Sequence, residues 1–119
     1  MTKLTKELSS QHCVPRQTAL SAAAIASTLP SVPGWAIEDG QLSRLFKFRN
    51  YYETMAFVNA LAYIAHAQDH HPDLGVTYDS CTVRYMTHSV DQGRGGLSEN
   101  DFICAAKVTA LHHGSVAGA

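Results

Sequence analysis

Three of the chain's seven histidines fall in the stretch His66-Ala67-Gln68-Asp69-His70-His71-Pro72, and a fourth, His88, follows after Tyr78. Imidazole is the side chain whose ordinary pKa, about 6.5, lets it give or take a proton near neutrality. A reaction that moves protons both ways could use such a cluster. His66 and His70 also stand at i and i+4, the spacing of two metal ligands on one helical face. Histidines that are merely solvated are the third reading, and spacing alone leaves all three open. Pro72 stops whatever helix carries the cluster.

The elements that position these residues belong to one domain, because 119 residues bury a real core but not two. Apolar residues make up 45% and charged ones 16%, the balance of a globular chain rather than a disordered one. A net charge of -1 without clustered Lys and Arg gives no basis for nucleic-acid binding. No stretch reaches the length of a membrane span, so no membrane partner is expected. Cys13, Cys81 and Cys104 are an odd number, widely spaced and without a C-x-x-C pair, which points to reduced thiols in the cytoplasm. Cys81 and Cys104 fall in apolar patterns and read as small core fillers. Lys3, Lys6 and Arg16 ahead of Ala19 to Ala26 imitate a signal peptide, but the run is alanine and serine rather than leucine. It reads instead as an amphipathic helix of the domain.

Residues 1–16 show no periodicity and read as a flexible tail, followed by a single domain over 17–112 and a small-residue flexible tail over 113–119. Ser21 is a candidate N-cap for a helix carrying Ile25 and Leu29, which Pro30 and Pro33 end. Gly34 to Ile37 and Leu42 to Phe48 alternate around Asp39-Gly40, the pattern of a β-hairpin. Asn50 with Glu53 resembles a capping box opening a helix to about Gln68. That helix shows two apolar stripes, Phe57, Leu61 and Ile64 on one and Met55, Val58, Ala62 and Ala65 on the other. Cover on both sides is therefore expected, a sheet beneath and a second subunit above. Leu74 to Tyr78 reads as a short strand, and Cys81 to His88 as another with Cys81, Val83 and Tyr85 facing the core. Gly93, Gly95 and Gly96 mark a loop, and Ser98 caps a last helix with Asp101 at its third position. The order α-β-β-α-β-β-α predicts an α+β fold, a four-stranded mainly antiparallel sheet with three helices packed on one face. His70 and His71, at the end of the long helix, can then meet His88, at the end of the last strand, at one rim of the sheet.

The spaced set His66, His70-His71-Pro72, Tyr78, His88 and Asp101 resembles the signature of the pterin-4a-carbinolamine dehydratases: an acidic or similar residue, three spacers, His-His-Pro, an aromatic, a further His and an Asp. Gly34-Trp35 and the run Gly95 to Phe102 resemble further landmarks, so the likeness covers roughly residues 20–110. It implies dehydration of a 4a-hydroxytetrahydropterin to the quinonoid dihydropterin by one acid and one base, with no cofactor and no metal. By the resemblance, His70 and His88 match the acid-base histidines and His71 one tied to substrate binding. Asp69, Met86, Thr87 and Ser89 match residues flanking the pterin. The resemblance implies a functional link to a pterin-dependent aromatic amino-acid hydroxylase and a homodimer or homotetramer. It also leaves a second class, since related proteins are non-catalytic dimerisation partners or assembly factors on the same fold. Retention of all three histidines favours the enzyme.

His66 stands where the family commonly has Glu. A third histidine cannot supply that negative charge, and as a neighbour of His70 on one helical face it is expected to tune the site rather than carry the reaction. Trp35 is read as core rather than as a stacking partner.

Overall fold

Asp39 and Gly40, both at positive φ (51° and 75°), close the turn between β1 (Ala36–Glu38) and β2 (Gln41–Lys47). This is the backbone that an Asp-Gly hairpin turn requires, since both central residues must be left-handed. In the computed structural model, which describes residues 5–117, β4 (Ser80–Tyr85) lies between β2 and β3 (Asp73–Val76). The sheet order is β1-β2-β4-β3 and every pair is antiparallel, with Leu42 opposite Tyr85, Phe46 opposite Cys81 and Leu74 opposite Val83. The alternation read along β4 holds: Cys81, Val83 and Tyr85 are fully buried.

Two long helices cover that apolar face. In α3 (Tyr51–Gln68) the buried positions Thr54, Phe57, Leu61 and Ala65 recur at helical spacing. Asn50 caps it by accepting the Glu53 N–H, at 2.9 Å, while the Glu53 carboxylate accepts the N–H of Arg49 rather than that of Asn50. The two expected stripes become one buried face. Ala65 joins Phe57 and Leu61, Met55 and Val58 are half-buried, and Ala62 is exposed. In α4 (Glu99–Ala117) the residues Phe102 to Ala106 and Val108 are fully buried. Trp35, 5% exposed, packs edge-on to Phe46 and donates its indole N–H to Thr109, which makes it a core residue. Each large side chain buried in this way contributes about 1.5–3 kcal/mol.

Among the described residues the α-helices number four rather than three. Besides α2 (Ala22–Thr28), capped by Ser21 as expected, residues Thr5–Ser9 form a short helix, α1, that packs on α4. Leu8 is 2% exposed and Lys107 Nζ donates to the Ser9 carbonyl at 2.8 Å. Asn100 then holds the chain that follows, donating to the Val14 carbonyl at 2.7 Å and accepting from Arg16 Nε at 3.1 Å. Within the described residues the N-terminal segment is thus attached along its length, not loose. A helix of five residues is too short to show a period.

At the other end α4 does not dissolve at His112 but continues to Ala117, because the His112 ring packs against Phe46, Phe48 and Phe57 as an apolar group would. The remaining residues of the two expected tails, 1–4 and 118–119, lie outside the described residues. Strand β4 stops three residues earlier than the alternation suggests. Thr87 exchanges both backbone hydrogen bonds with Gly96 instead, which folds the loop after it back onto the strand end. No helix among the described residues is long and apolar enough to cross a membrane.

Candidate active site

The end of α3 aims the first histidine. Asp69 adopts a left-handed conformation (φ 51°, ψ 44°), its N–H bonding the His66 carbonyl and the His70 N–H bonding that of Ala65. Such a closure satisfies the last helical carbonyls and turns the chain out of the helix. His70 therefore lies beyond the helical register rather than one turn above His66. The helical-neighbour relation expected for those two residues does not hold: His66 is exposed, while the His70 side chain is 11% exposed and turned inward.

His70 is held on two sides. Its ring stacks on Tyr85, 5.6 Å between centroids at 11°, and its Nε2 lies 2.6 Å from Asp101 Oδ1. Asp101 is fully buried at the third position of α4. Its other oxygen, Oδ2, accepts from the Thr87 hydroxyl at 2.9 Å and from the Ser98 N–H at 2.8 Å. A buried carboxylate needs this many partners, since an unpaired one would cost several kcal/mol. Burial alone would push the His70 pKa down by disfavouring the cation. The hydrogen bond and charge of Asp101, aided by the charges of Cys13 and Asp69, outweigh it and hold His70 above the ordinary imidazole range. With Nε2 engaged by Asp101, Nδ1 is the nitrogen left for a ligand.

Asp69, His70, His71, Met86, Thr87, His88 and Ser89 line one cavity of about 320 Å³, with Pro72 and Asp73 completing it. The end of α3 and the end of β4 do meet at one rim of the sheet, and all seven expected pocket residues are there. His71, His88, Asp69 and Ser89 are exposed at its mouth, and Thr87 is buried at its base. His66 is not among the lining residues.

Two parts of the site were not singled out from sequence. Asp101 is the last position of the spaced motif, but the sequence reading gives it only the third position of the helix that Ser98 caps and no partner. It serves as cap and as partner of His70 at once. The second part is a cavity of about 280 Å³ on the other side of His70, sharing Asp69, Thr87 and Ser89 and walled by Cys13 to Arg16 and Asn100. No pattern in residues 13–16 marks them for this place. Among the described residues no group of three or more His, Cys, Asp or Glu is placed to hold a metal ion.

Residues 18–111 match the family model described as pterin 4 alpha carbinolamine dehydratase. A protein of Stenotrophomonas maltophilia strain K279a named for that dehydratase is 58% identical over 109 residues, covering 87% of this chain and 90% of the relative. One of Xanthomonas oryzae pv. oryzae with the same name is 56% identical over 110 residues, covering 88% and 90%. Among solved structures, the transcriptional coactivator/pterin dehydratase of Brucella melitensis superposes with a TM-score of 0.72 at 29% identity, over 80% of this chain and 99% of its own. A pterin dehydratase-like protein identified as a RuBisCO assembly factor in the alpha-carboxysome gives 0.51 at 25% identity, over 66% and 86%.

Proposed function

The chain belongs to the pterin 4 alpha carbinolamine dehydratase family, and on that footing we propose that it removes water from a 4a-hydroxytetrahydropterin by histidine acid-base catalysis. Hydroxide leaves poorly until protonated, and the product forms only when the neighbouring N5 gives up its proton. In this reading His70, protonated at both nitrogens, donates from Nδ1 to the 4a-hydroxyl. The C4a–O bond breaks and water departs. His88 takes the N5 proton, leaving the quinonoid dihydropterin. One proton is given and one taken, no electron is exchanged, and exposed His88 returns its proton to solvent. His71 and Asp69 hold the pterin at the mouth, with Met86, Thr87 and Ser89 along the strand end.

The observation that carries this assignment is the 2.6 Å contact between His70 Nε2 and Asp101 Oδ1. It favours the imidazolium and fixes the tautomer that remains once the proton is given, which supports His70 as the acid. The product would feed a reductase that regenerates the tetrahydropterin used by an aromatic amino-acid hydroxylase in the cytoplasm.

The test follows dehydration of freshly generated carbinolamine with the uncatalysed rate subtracted. Wild type should accelerate it. His70→Ala and His88→Ala should each lower kcat by roughly tenfold to a thousandfold, the range for one acid-base group, while His71→Ala mainly raises KM. Wild-type turnover in the double variant His70→Ala/His88→Ala would show the acid-base assignment to be wrong. No acceleration by wild type would leave the assembly-factor class, to which one structural neighbour belongs by its name.

A further inference from the structure

Cys13 lies in irregular backbone between α1 and α2, and Cys104 on the buried face of α4. The fold brings these two residues, 91 positions apart in sequence, together with their Sγ atoms at 3.4 Å. Cys104 is fully buried, whereas Cys13 is half-exposed and lines the 280 Å³ cavity beside His70. One sulfur can be reached by a small molecule and the other only through the first. We propose that Cys13 and Cys104 form an oxidisable dithiol, a modification site at which a hydroperoxide makes an intramolecular disulfide that pins the segment around Cys13 to α4.

Three features favour it. The first is proximity: a disulfide needs about 2.05 Å between sulfurs, so the gap to close is roughly 1.4 Å, and the backbone at Cys13, in no helix or strand, is held by the bond from its N–H to Gln68 Oε1 at 2.8 Å. The second is the division of labour. The hydrogen bond with Cys104 lowers the Cys13 pKa, burial works against it, and the positive charges of His70 and Lys107 assist. The same hydrogen bond, with burial, pushes Cys104 strongly up. Of the two, Cys13 is therefore the more readily ionised and Cys104 the one held as the thiol. The third is the internal comparison: Cys81 is sealed in the sheet's core face and burial raises its pKa, so it has neither access nor activation.

The chemistry balances without help from the rest of the site. The Cys13 thiolate attacks one peroxide oxygen and the O–O bond breaks. The protein is left with a sulfenic acid, and the other oxygen leaves as water, or as an alcohol if the peroxide is organic. Cys104 then attacks the Cys13 sulfur. Its proton goes to the departing hydroxide, which leaves as water. Two thiols lose two hydrogens and two electrons, and the peroxide gains them.

None of this depends on the dehydratase reading, and its test needs no pterin. Reduced full-length protein is treated with stoichiometric hydrogen peroxide, denatured, alkylated with iodoacetamide, digested and mapped by mass spectrometry. The expected product is a Cys13–Cys104 linked peptide lighter by two hydrogens and restored by dithiothreitol, with Cys81 fully alkylated. In Cys104→Ser, Cys13 should instead be captured as a sulfenic acid by dimedone. Cys13 and Cys104 both alkylated to the same extent as Cys81, a Cys13–Cys13 link between chains, or Cys13 driven to the sulfinic acid beside a free Cys104 would each overturn the proposal. The wild-type peptide map decides between these outcomes even if the serine variant fails to fold.

Discussion

Asp101 does two things that a single substitution can separate. Asp101→Asn keeps one acceptor oxygen, enough for the His70 Nε2–H or for the Ser98 N–H but not for both, and removes the charge, leaving burial as the main influence on the imidazole. The His70 pKa should then fall below its wild-type value. Because the proposed acid is active when protonated, activity is lost as pH rises through that pKa, so the alkaline limb of kcat should move to lower pH. Histidine NMR titration alongside the kcat profile checks both halves, and an unmoved limb with a shifted His70 pKa would mean His70 is not the acid. Stability carries the same sign. A folded-state pKa above the unfolded value adds stability that is full below about pH 6.5 and fades as pH rises through the folded pKa. The stability gap between wild type and Asp101→Asn should narrow over that interval in urea titrations run at several pH values. His66 is exposed and does not line the cavity, so His66→Gln should leave the kcat profile in place. At this scale the histidines were legible because proton chemistry has few alternatives among side chains. Asp101 was only half legible, because an aspartate three residues after a capping serine already has a complete explanation in the first turn of a helix.

The elements were legible where a period had room to repeat. The Asp-Gly hairpin, the strand Ser80–Tyr85 and the two long helices all carry their patterns over six or more residues, and each stands close to where it was expected. Where the signal fails, it fails for identifiable reasons. The five-residue α1, which buries Leu8, offers little more than one turn, so no period can repeat. The end of α3 fails for a different reason: Pro72 predicts a stop, but not that Asp69 would take the left-handed conformation three residues earlier. That closure, not helical spacing, decides which way His70 points. Asp tolerates the conformation better than most residues, Gly takes it freely and Ala does not. Asp69→Ala should therefore lower stability by about 1 kcal/mol relative to Asp69→Gly, measured by urea unfolding. Both variants remove the same carboxylate from the cavity and should raise KM alike. Equal stability of the two would show that the left-handed turn at Asp69 is not held in solution.

At the scale of the whole molecule, the face of α3 turned away from the core is apolar at its two ends. Tyr52 is 83% exposed and Tyr63 75%, and with Ala56 and Asn59 between them they follow i, i+4, i+7 and i+11 along one stripe. Single exposed apolar residues are ordinary, but aromatic side chains aligned along a helix mark a surface that gains by being covered. The outer face of the sheet adds Leu45 at 54%, and Tyr78 beyond β3 is 64% exposed. A small domain has one sheet face to offer α3 and has already used it, so a second copy of the chain is the cover to expect. A stable interface takes about 800 Å² from each partner, and the chain exposes 6922 Å² in all. A homodimer or homotetramer should therefore sediment at micromolar concentration. Tyr63→Glu puts a charge into the stripe without touching the core, so it should shift the distribution toward monomer and leave the monomer's fold intact by circular dichroism. If wild type sediments only as a 12.9 kDa monomer, then the aromatic stripe faces water and α3 needs no partner. If Tyr63→Glu leaves an oligomer unchanged, the copies meet through the sheet rather than through this helix.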